Sequence, residues 1–205
     1  LYVNFDRPLA PDELDRMHAG IERRAAGEPL QYVTGEMPFR HIVLRCEKGV
    51  LIPRPETEVL VDAALEGVDA AAHAAGGPTR VLEIGTGTGC ISLSVASERP
   101  GTRVVATDLS PVAVDLATRN REALGLVDAV DIVQTDLAAD VDSALMGTFS
   151  VLVSNPPYIP TSVLANEVPA EVKDNEPELA LDGGADGLDV FRRILELAPC
   201  ALCPG

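Results

Sequence analysis

The strongest constraint on the fold is a regular alternation of short apolar runs and helical segments between residues 80 and 154. Arg80–Ile84 and Phe149–Ser154 have the apolar, β-branched character of buried strands. Between them, Ser110-Pro111 is typical of a helix start and Gly125 of a helix end. The alternation predicts an α/β fold with a doubly wound, Rossmann-like parallel sheet and right-handed crossovers. The other predicted elements are strands Arg103–Thr107 and Ala129–Gln134, helices Cys90–Glu98, Pro111–Leu124 and Asp186–Leu197, and a short helix Val141–Leu145.

Composition narrows the classes of protein that this chain can belong to. Its 205 residues carry 32 acidic and 16 basic side chains, a net charge of −16 that repels phosphate backbones and disfavours direct nucleic-acid binding. No apolar run reaches membrane-spanning length and no signal peptide opens the chain, so we expect a cytoplasmic protein without membrane contact. Cys200 and Cys203 form a C-x-x-C, but no second pair completes a zinc site, and we expect free thiols and no metal.

The residues before the sheet divide into a helical piece and a linker. Residues 1–27 are predicted to be the C-terminal part of a helical domain, 28–52 a β-hairpin linker, and 53–205 the main domain. The chain lacks an initial Met and stops directly after a helix, so we expect a molecule truncated at both ends. In the hairpin, Phe39–Cys46 is predicted to pair with Val50–Ile52.

Several local expectations concern packing and loops. The first helix repeats apolar residues at helical spacing, with His18 expected to be packed among them, and the helix after Pro55 is expected to bury Val59, Leu60 and Leu65. Ala70–Pro78 is interpreted as a spacer, and Pro160–Leu181 as a functional lid or a disordered loop. The apolar positions expected on the first helix are Leu14, Met17 and Ile21.

A glycine-rich turn follows the first strand of the main domain. Glu83 precedes a G-x-G-x-G pattern, whose glycines allow close backbone approach to a ligand and whose following helix offers free N–H groups. The dinucleotide pattern G-x-G-x-x-G is not met, because Cys90 stands at its third glycine position. We predict that Glu83 and the turn, Gly85-Thr86-Gly87-Thr88-Gly89, bind a cofactor.

Acidic residues end the next two strands. Asp108 lies where a carboxylate can accept hydrogen bonds from both ribose hydroxyls, and Asp136-Leu137 lies where an acid and an apolar side chain can contact an adenine. This spacing fits either NAD or S-adenosylmethionine. A cation beside a helix N-terminus is unfavourable, so we hypothesise that Arg54 binds an anionic group such as a cofactor carboxylate.

The fourth strand ends at Asn155-Pro156-Pro157-Tyr158. The prolines stop the strand and leave outward-facing carbonyls beside a carboxamide and an aromatic ring. Such acceptors suit a planar –NH2 group. In the usual strand order 3-2-1-4 the glycine turn and Asn155 face each other across one crevice, so Asn155 is also predicted to contact the cofactor.

Together these residues resemble the S-adenosylmethionine-dependent methyltransferases that act on planar amino groups. Pro29–Gly35, Ile52–Glu58 and the segment from Glu176-Pro177 to Gly183-Gly184 are similar to the HemK/PrmC family, the release factor glutamine methyltransferases. The resemblance covers nearly all of the chain from Glu28 and implies a class I methyltransferase sheet. It also implies further helices before the chain and further strands after it.

The resemblance implies methyl transfer to the side-chain amide nitrogen of the glutamine in the Gly-Gly-Gln motif of a class-1 release factor. S-adenosylmethionine is the implied cofactor and S-adenosylhomocysteine the product. By analogy, the Asn155 side chain and the Pro156 carbonyl accept the amide hydrogens, Pro157 and Tyr158 contribute to substrate binding, and Tyr158 packs on the amide plane. A monomer is expected.

Three other functions remain open from the residues alone. An adenine-N6 methyltransferase of DNA or RNA would make the same demands on Asn155-Pro156-Pro157-Tyr158, but it would need a basic surface. An NAD-dependent oxidoreductase would share the strand-end Asp108, and it is disfavoured by Cys90. A non-catalytic binding module gives Asn155 no reason to lie at the switch point.

Overall fold

The computed structural model describes residues 7–75 and 79–204. Its helices are α1 (Pro11–Ala25), α2 (Leu30–Thr34), α3 (Glu56–Ala75), α4 (Cys90–Glu98), α5 (Pro111–Ala123), α6 (Thr161–Asn166), α7 (Ala170–Lys173) and α8 (Asp189–Ala201). Its strands are β1 (Glu36–Phe39), β2 (Ile42–Arg45), β3 (Arg80–Ile84), β4 (Arg103–Asp108), β5 (Val130–Gln134) and β6 (Val151–Ser154). Short 3-10 helices lie at Ser143–Leu145 and Glu178–Ala180.

The main domain is built on a parallel sheet with the order β5-β4-β3-β6. Numbered within that domain the order is 3-2-1-4, so the predicted topology is confirmed. The strands that precede the glycine turn and the Asn-Pro-Pro-Tyr corner are therefore neighbours, with Ile84 paired to Ser154. Their carboxyl ends form one edge of the sheet, where ligands of open α/β folds bind.

Alternating side chains cover the two faces of the sheet. Val81 and Val153 join α3 and α4 in one apolar core, whereas Leu82 and Ile84 join α8 in a second core on the other face. The doubly wound prediction is therefore confirmed, and β3 is buried on both faces. Burial of this kind contributes about 25 cal/mol for each Å² of apolar surface, which makes the sheet a rigid support for its carboxyl edge.

The predicted hairpin was wrong in its pairing. The structure pairs β1 with β2, from Glu36 opposite Arg45 to Phe39 opposite Ile42, and not Phe39–Cys46 with Val50–Ile52. Ile42 and Leu44 face inward along β2, and the strand that pairs with β2 precedes the turn instead of following it. Arg40 takes a positive φ of 49° at that turn, a conformation that the sequence pattern did not signal.

The first helix is exposed along the face that was expected to be buried. Leu14, Met17 and Ile21 are 37%, 44% and 57% exposed, and His18 is exposed instead of packed. The helical pattern was therefore correct and the burial wrong, because within the described residues α1 packs chiefly on the short helix α2. Residues 1–6 of the predicted helical piece lie outside the described residues.

Helix α3 is longer than expected and buries a different stripe. It continues to Ala75 through the predicted Ala70–Pro78 spacer, since alanine is the strongest helix former. Leu65 is buried as expected and Leu60 packs on the core, but Val59 is 69% exposed. Residues 76–78 of the spacer lie outside the described residues.

The segment 160–181 is neither a plain loop nor structureless. It contains α6, α7 and the 3-10 helix Glu178–Ala180, and its end runs beside the proline corner, where Ile159 N–H donates to the Leu181 carbonyl. Helix α8 begins three residues later than predicted. Gly187 has a φ of +80°, and the Asp186 carboxylate accepts the Leu188 N–H ahead of the helix.

Candidate active site

The glycine turn is held from beneath by a buried carboxylate. Glu83 is 0% exposed, and its Oε2 accepts the Thr86 hydroxyl at 2.7 Å and the Ser92 N–H at 3.1 Å. Its other oxygen, Oε1, is buried and has no partner among the described residues. Burial raises the pKa of Glu83 from its ordinary 4.5 to about 7, against the lowering effect of those two hydrogen bonds.

The glycines of the turn are required by its backbone. Gly85, Gly87 and Gly89 all have positive φ, and a Cβ on Gly89 would lie 2.7 Å from a methyl carbon of Leu93. The Gly85 and Thr86 N–H groups both donate to the Thr107 carbonyl, at 2.8 and 2.9 Å. The turn is thus fixed to β4 and exposes its glycine backbone at the edge of the sheet.

A first cavity, the sheet-edge cavity, lies over the carboxyl ends of the strands. The predicted cofactor residues that line it are Gly85, Gly87, Asp108, Asp136, Leu137 and Asn155. Glu83, Thr86, Thr88 and Gly89, also predicted to bind the cofactor, do not line it. These four residues are buried, with both threonines 2% exposed, and they support the turn from the side that faces the protein interior.

Asp108 is the carboxylate best placed to bind a polar ligand there. Its Oδ2 accepts the Gly87 N–H and its Oδ1 accepts the Ser110 N–H, both at 2.9 Å. Each oxygen keeps a further lone pair for a hydroxyl. Burial raises the pKa of Asp108, and its hydrogen bonds to backbone N–H groups oppose that rise.

Asp136 and Leu137 lie at the end of the cavity beside α8. The Asp136 carboxylate is 2.8 Å from the guanidinium of Arg193, which lines the cavity as well. Leu137 has a positive φ of 53°, uncommon for a leucine, and this directs the chain around the rim. Sequence reasoning missed Arg193 because it lies 57 residues away from its partner.

A second cavity, the corner cavity, lies on the other side of the proline corner. Its lining includes Pro156, Tyr158, Arg54, Val168 and Val172. Tyr158 is 65% exposed, so its ring is open to a ligand, and the Pro156 carbonyl accepts no hydrogen bond from the described residues. Pro157 lines the sheet-edge cavity instead.

Asn155 lines both cavities, together with Leu51 and Ala180. Of these three residues, Asn155 is the one with a polar side chain. Its Nδ2 donates to the Thr57 hydroxyl at 3.3 Å, and its Oδ1 accepts no hydrogen bond within residues 7–75 and 79–204. The predicted juxtaposition of glycine turn and proline corner is therefore present, with a free amide oxygen at the junction.

Arg54 occupies a place other than the expected one. It lines the corner cavity and not the sheet-edge cavity, and its Nη2 pairs with the Glu176 carboxylate at 2.5 Å. Glu176, whose side chain is 2% exposed, also accepts the Ile52 N–H at 3.1 Å. The anion that Arg54 meets is thus internal, and the geometry does not support a cofactor carboxylate as its partner. Sequence reasoning did not find this pair because Arg54 and Glu176 are 122 residues apart in the sequence.

S-adenosylmethionine fits the chemistry of the sheet-edge cavity. Asp108 offers acceptors for ribose hydroxyls, Leu137 an apolar surface for adenine, and the glycine backbone a close approach. Among the described residues no cluster of three or more His, Cys, Asp or Glu side chains is arranged to hold a metal ion.

Comparison with known proteins agrees with this chemistry. The family model "Methyltransferase small domain" matches residues 66–183, and "PrmC N-terminal domain" matches residues 1–35. The release factor glutamine methyltransferase of Moorella thermoacetica is 43% identical over 205 residues, which are 100% of this chain and 69% of that protein. The chain belongs to the release factor glutamine methyltransferase family. The family's S-adenosylmethionine cofactor follows from this membership.

Two further relatives carry the same activity in their names. The Geobacter sulfurreducens release factor glutamine methyltransferase is 44% identical over 100% of this chain and 68% of its own length. The human MTRF1L release factor glutamine methyltransferase is 38% identical over 95% of this chain and 59% of its own length. The sequence-based recognition of this methyltransferase family is therefore confirmed.

Solved structures are similar in fold alone. The hMettl16 catalytic domain in complex with MAT2A 3'UTR hairpin 6 superposes with a TM-score of 0.56 and 19% identity, over 75% of this chain and 55% of that one. Its complex with hairpin 1 gives a TM-score of 0.50 and 18% identity, over 91% and 62% of the two chains.

Of the helices in the described part of the chain, none has the length and apolar character needed to cross a membrane.

Proposed function

We propose that this chain transfers a methyl group from S-adenosylmethionine to the side-chain amide nitrogen of the glutamine in the Gly-Gly-Gln motif of a class-1 release factor. Membership of the family supports the reaction. The observation that carries the site assignment is that Asn155 lines both cavities and that no described residue donates a hydrogen bond to its Oδ1. A cofactor on one side and an amide on the other would meet at this side chain.

The sheet-edge cavity is proposed to hold the cofactor. Gly85 and Gly87 admit it to the backbone, Asp108 accepts its ribose hydroxyls, and Asp136 with Leu137 contacts its adenine. When bound there, S-adenosylmethionine supplies an electrophilic methyl group on a positively charged sulfur. The surrounding apolar side chains exclude water from the site, which strengthens every hydrogen bond made inside it.

The proline corner is proposed to hold the substrate amide. An amide nitrogen is a poor nucleophile because its lone pair is delocalised into the carbonyl group. The Asn155 Oδ1 and the Pro156 carbonyl accept its two hydrogens, which returns electron density to nitrogen and fixes the direction of its lone pair. The Tyr158 ring packs on the amide plane. Placement of this kind supplies much of the rate without a strong base.

The same acceptors make the site selective for glutamine over glutamate. A carboxylate brings no hydrogen to Asn155 or Pro156 and places oxygen against oxygen. Each buried acceptor left unpaired costs about 1–3 kcal/mol, so glutamate should be rejected by orders of magnitude.

We propose that the protein substrate is a class-1 release factor and that the chain acts on it as a monomer. We also propose that the chain does not bind nucleic acid directly. The net charge of −16 supports that last point, since a surface with this charge repels phosphate backbones. A cytoplasmic location stays a prediction that follows from this substrate. The domain boundaries at 27/28 and 52/53 also stay predictions.

The decisive assay supplies labelled S-adenosylmethionine with a release factor, the same factor carrying Gln→Glu in its Gly-Gly-Gln motif, DNA, or RNA. We expect label in the unaltered release factor alone, on the glutamine side chain by mass spectrometry. Label in nucleic acid alone would replace this proposal with adenine methylation. NAD binding without methyl transfer would replace it with oxidoreductase chemistry.

A further inference from the structure

The Asn155 side chain needs a defined orientation for the proposed reaction. A carboxamide presents an acceptor at one end and two donor hydrogens at the other, and half a turn about its last bond exchanges them. A substrate –NH2 is a donor, so only the orientation with Oδ1 towards the substrate is productive. Something in the protein must then accept the hydrogens of Nδ2.

Thr57 is the group that meets this need. Its hydroxyl accepts the hydrogen bond from Asn155 Nδ2 at 3.3 Å, across a sequence distance of 98 residues. Thr57 is 5% exposed and lies in the first turn of α3, where its own N–H donates to the Arg54 carbonyl at 2.9 Å. The backbone of Thr57 is therefore held in the first turn of the helix, and its buried side chain is shielded from bulk water.

The backbone beside Asn155 is anchored independently of this contact. The Ser154 hydroxyl donates to the Ile84 carbonyl at 2.7 Å, and β6 pairs with β3 up to that residue. The main chain at the corner thus has its own support, and the rotation of the Asn155 carboxamide is the freedom that remains. Thr57 acts on that freedom.

We propose that Thr57 is a positioning residue for methyl transfer, which holds the Asn155 carboxamide with its oxygen towards the substrate amide. The proposal rests on the function proposed above. Without the Thr57 hydroxyl, the productive orientation leaves a half-buried –NH2 without a partner and loses population to other rotamers. A misplaced group of this kind can reduce a rate by about 10²-fold.

The test compares Thr57→Val, which keeps the shape and removes the hydroxyl, with Thr57→Ser, which keeps the hydroxyl. Thr79→Val is the matched control, because Thr79 is also buried but precedes β3 at the opposite end of the sheet. We expect Thr57→Val to lower kcat by about 10- to 100-fold while KM for S-adenosylmethionine and Kd for S-adenosylhomocysteine change less than twofold. Thr57→Ser should recover kcat to within about threefold of the unaltered protein.

A second measurement does not depend on activity. The ¹⁵N–¹H resonances of the Asn155 side chain, identified by their loss in Asn155→Asp, should shift and broaden in Thr57→Val and not in Thr79→Val. If the unaltered protein methylates no release factor, the proposed function fails, and these resonances still decide whether Thr57 holds Asn155. Unchanged resonances, a kcat for Thr57→Val within twofold of the unaltered protein, or an equal loss in Thr57→Ser would each overturn the proposal.

Discussion

The two cavities beside Asn155 are built in different ways. The sheet-edge cavity takes its main polar groups from consecutive strand ends, each a few residues from a recognisable turn, and the central strands β3 and β4 are largely buried. The corner cavity combines the linker, the proline corner and the segment around α7, which are joined by contacts such as Arg54 with Glu176. Local sequence therefore determines most polar groups of the first cavity, although Arg193 joins it by a long-range pair with Asp136, and long-range pairing determines the second.

Because of this difference, we expect cofactor binding to depend on a few strand-end residues. The proposed substrate side should depend on residues that are distant in sequence. Variants on each side should separate the two, with cofactor affinity changed on one side and substrate turnover changed on the other.

The largest separation is expected for Asn155→Ala. This variant removes the proposed acceptor and should lower kcat about 10³-fold, because the amide is no longer oriented or polarised. Kd for S-adenosylhomocysteine, measured by calorimetry, should stay within threefold. Asn166→Ala, at an exposed position of α6, serves as the control and should behave like the unaltered protein. Equal losses in kcat and cofactor affinity would show that the two cavities do not have separate functions.

The reverse pattern is expected for Asp108→Ala. Loss of the carboxylate that is proposed to accept ribose hydroxyls should raise Kd for S-adenosylhomocysteine about 10²-fold, since hydrogen bonds to a charged group contribute about 1.5–3 kcal/mol each. At saturating cofactor, kcat should fall much less. Asp128→Ala, an exposed aspartate after α5, is the control. An unchanged Kd would remove Asp108 from the cofactor site.

A pH-dependent effect is expected beneath the glycine turn. The pKa of Glu83 is about 7 in the folded chain and 4.5 ordinarily, so between these values the folded state keeps a proton that the unfolded state has released. The free energy of unfolding should then fall as pH rises, by about 2 kcal/mol from Glu83 as pH passes from below 5 to above 7. Asp108 and Cys90 are its titratable neighbours.

Glu83→Gln isolates this contribution. The variant keeps the shape and cannot titrate, so its unfolding free energy by urea denaturation should lack that share of the pH dependence. Parallel pH curves for the variant and the unaltered chain would show that Glu83 is ionised throughout the window.

The smallest effect is expected from the pair that joins the corner cavity together. Arg54→Gln leaves the buried Glu176 carboxylate without its cation, and we expect a loss of about 1.5 kcal/mol in stability, reduced because Arg54 is itself one-third exposed. Adding Glu176→Gln should recover most of that loss. KM for the release factor should rise about tenfold in the single variant while cofactor affinity holds. No recovery in the double variant would contradict the pairing.

The sequence predicted most of the sheet-edge side because its signals are local. Strand and helix bounds from β3 to β6 agree within a few residues, and the order 3-2-1-4 follows from alternation and handedness. The sequence did not show which residues of a motif line the cavity and which support it from beneath. Glu83 and Thr88 belong to the same short motif as Gly85, and only packing places them beneath the turn.

The corner side was less predictable for a physical reason. Arg54 was assigned to a cofactor carboxylate because its internal partner, Glu176, lies far along the chain. Thr57 had no assigned role, although it stands in the Pro55-to-Glu58 helix start that was recognised as a motif. The one signal available there was a small hydroxyl residue between two glutamates at a helix N-terminus, which a simple helix start also explains.

The most direct test is a crystal structure with S-adenosylhomocysteine and a peptide containing Gly-Gly-Gln. We expect the cofactor product over Gly85 and Asp108, and the glutamine amide nitrogen within hydrogen-bond distance of Asn155 Oδ1. A glutamine bound elsewhere, or an Asn155 oxygen turned towards Thr57 with the substrate in place, would contradict it.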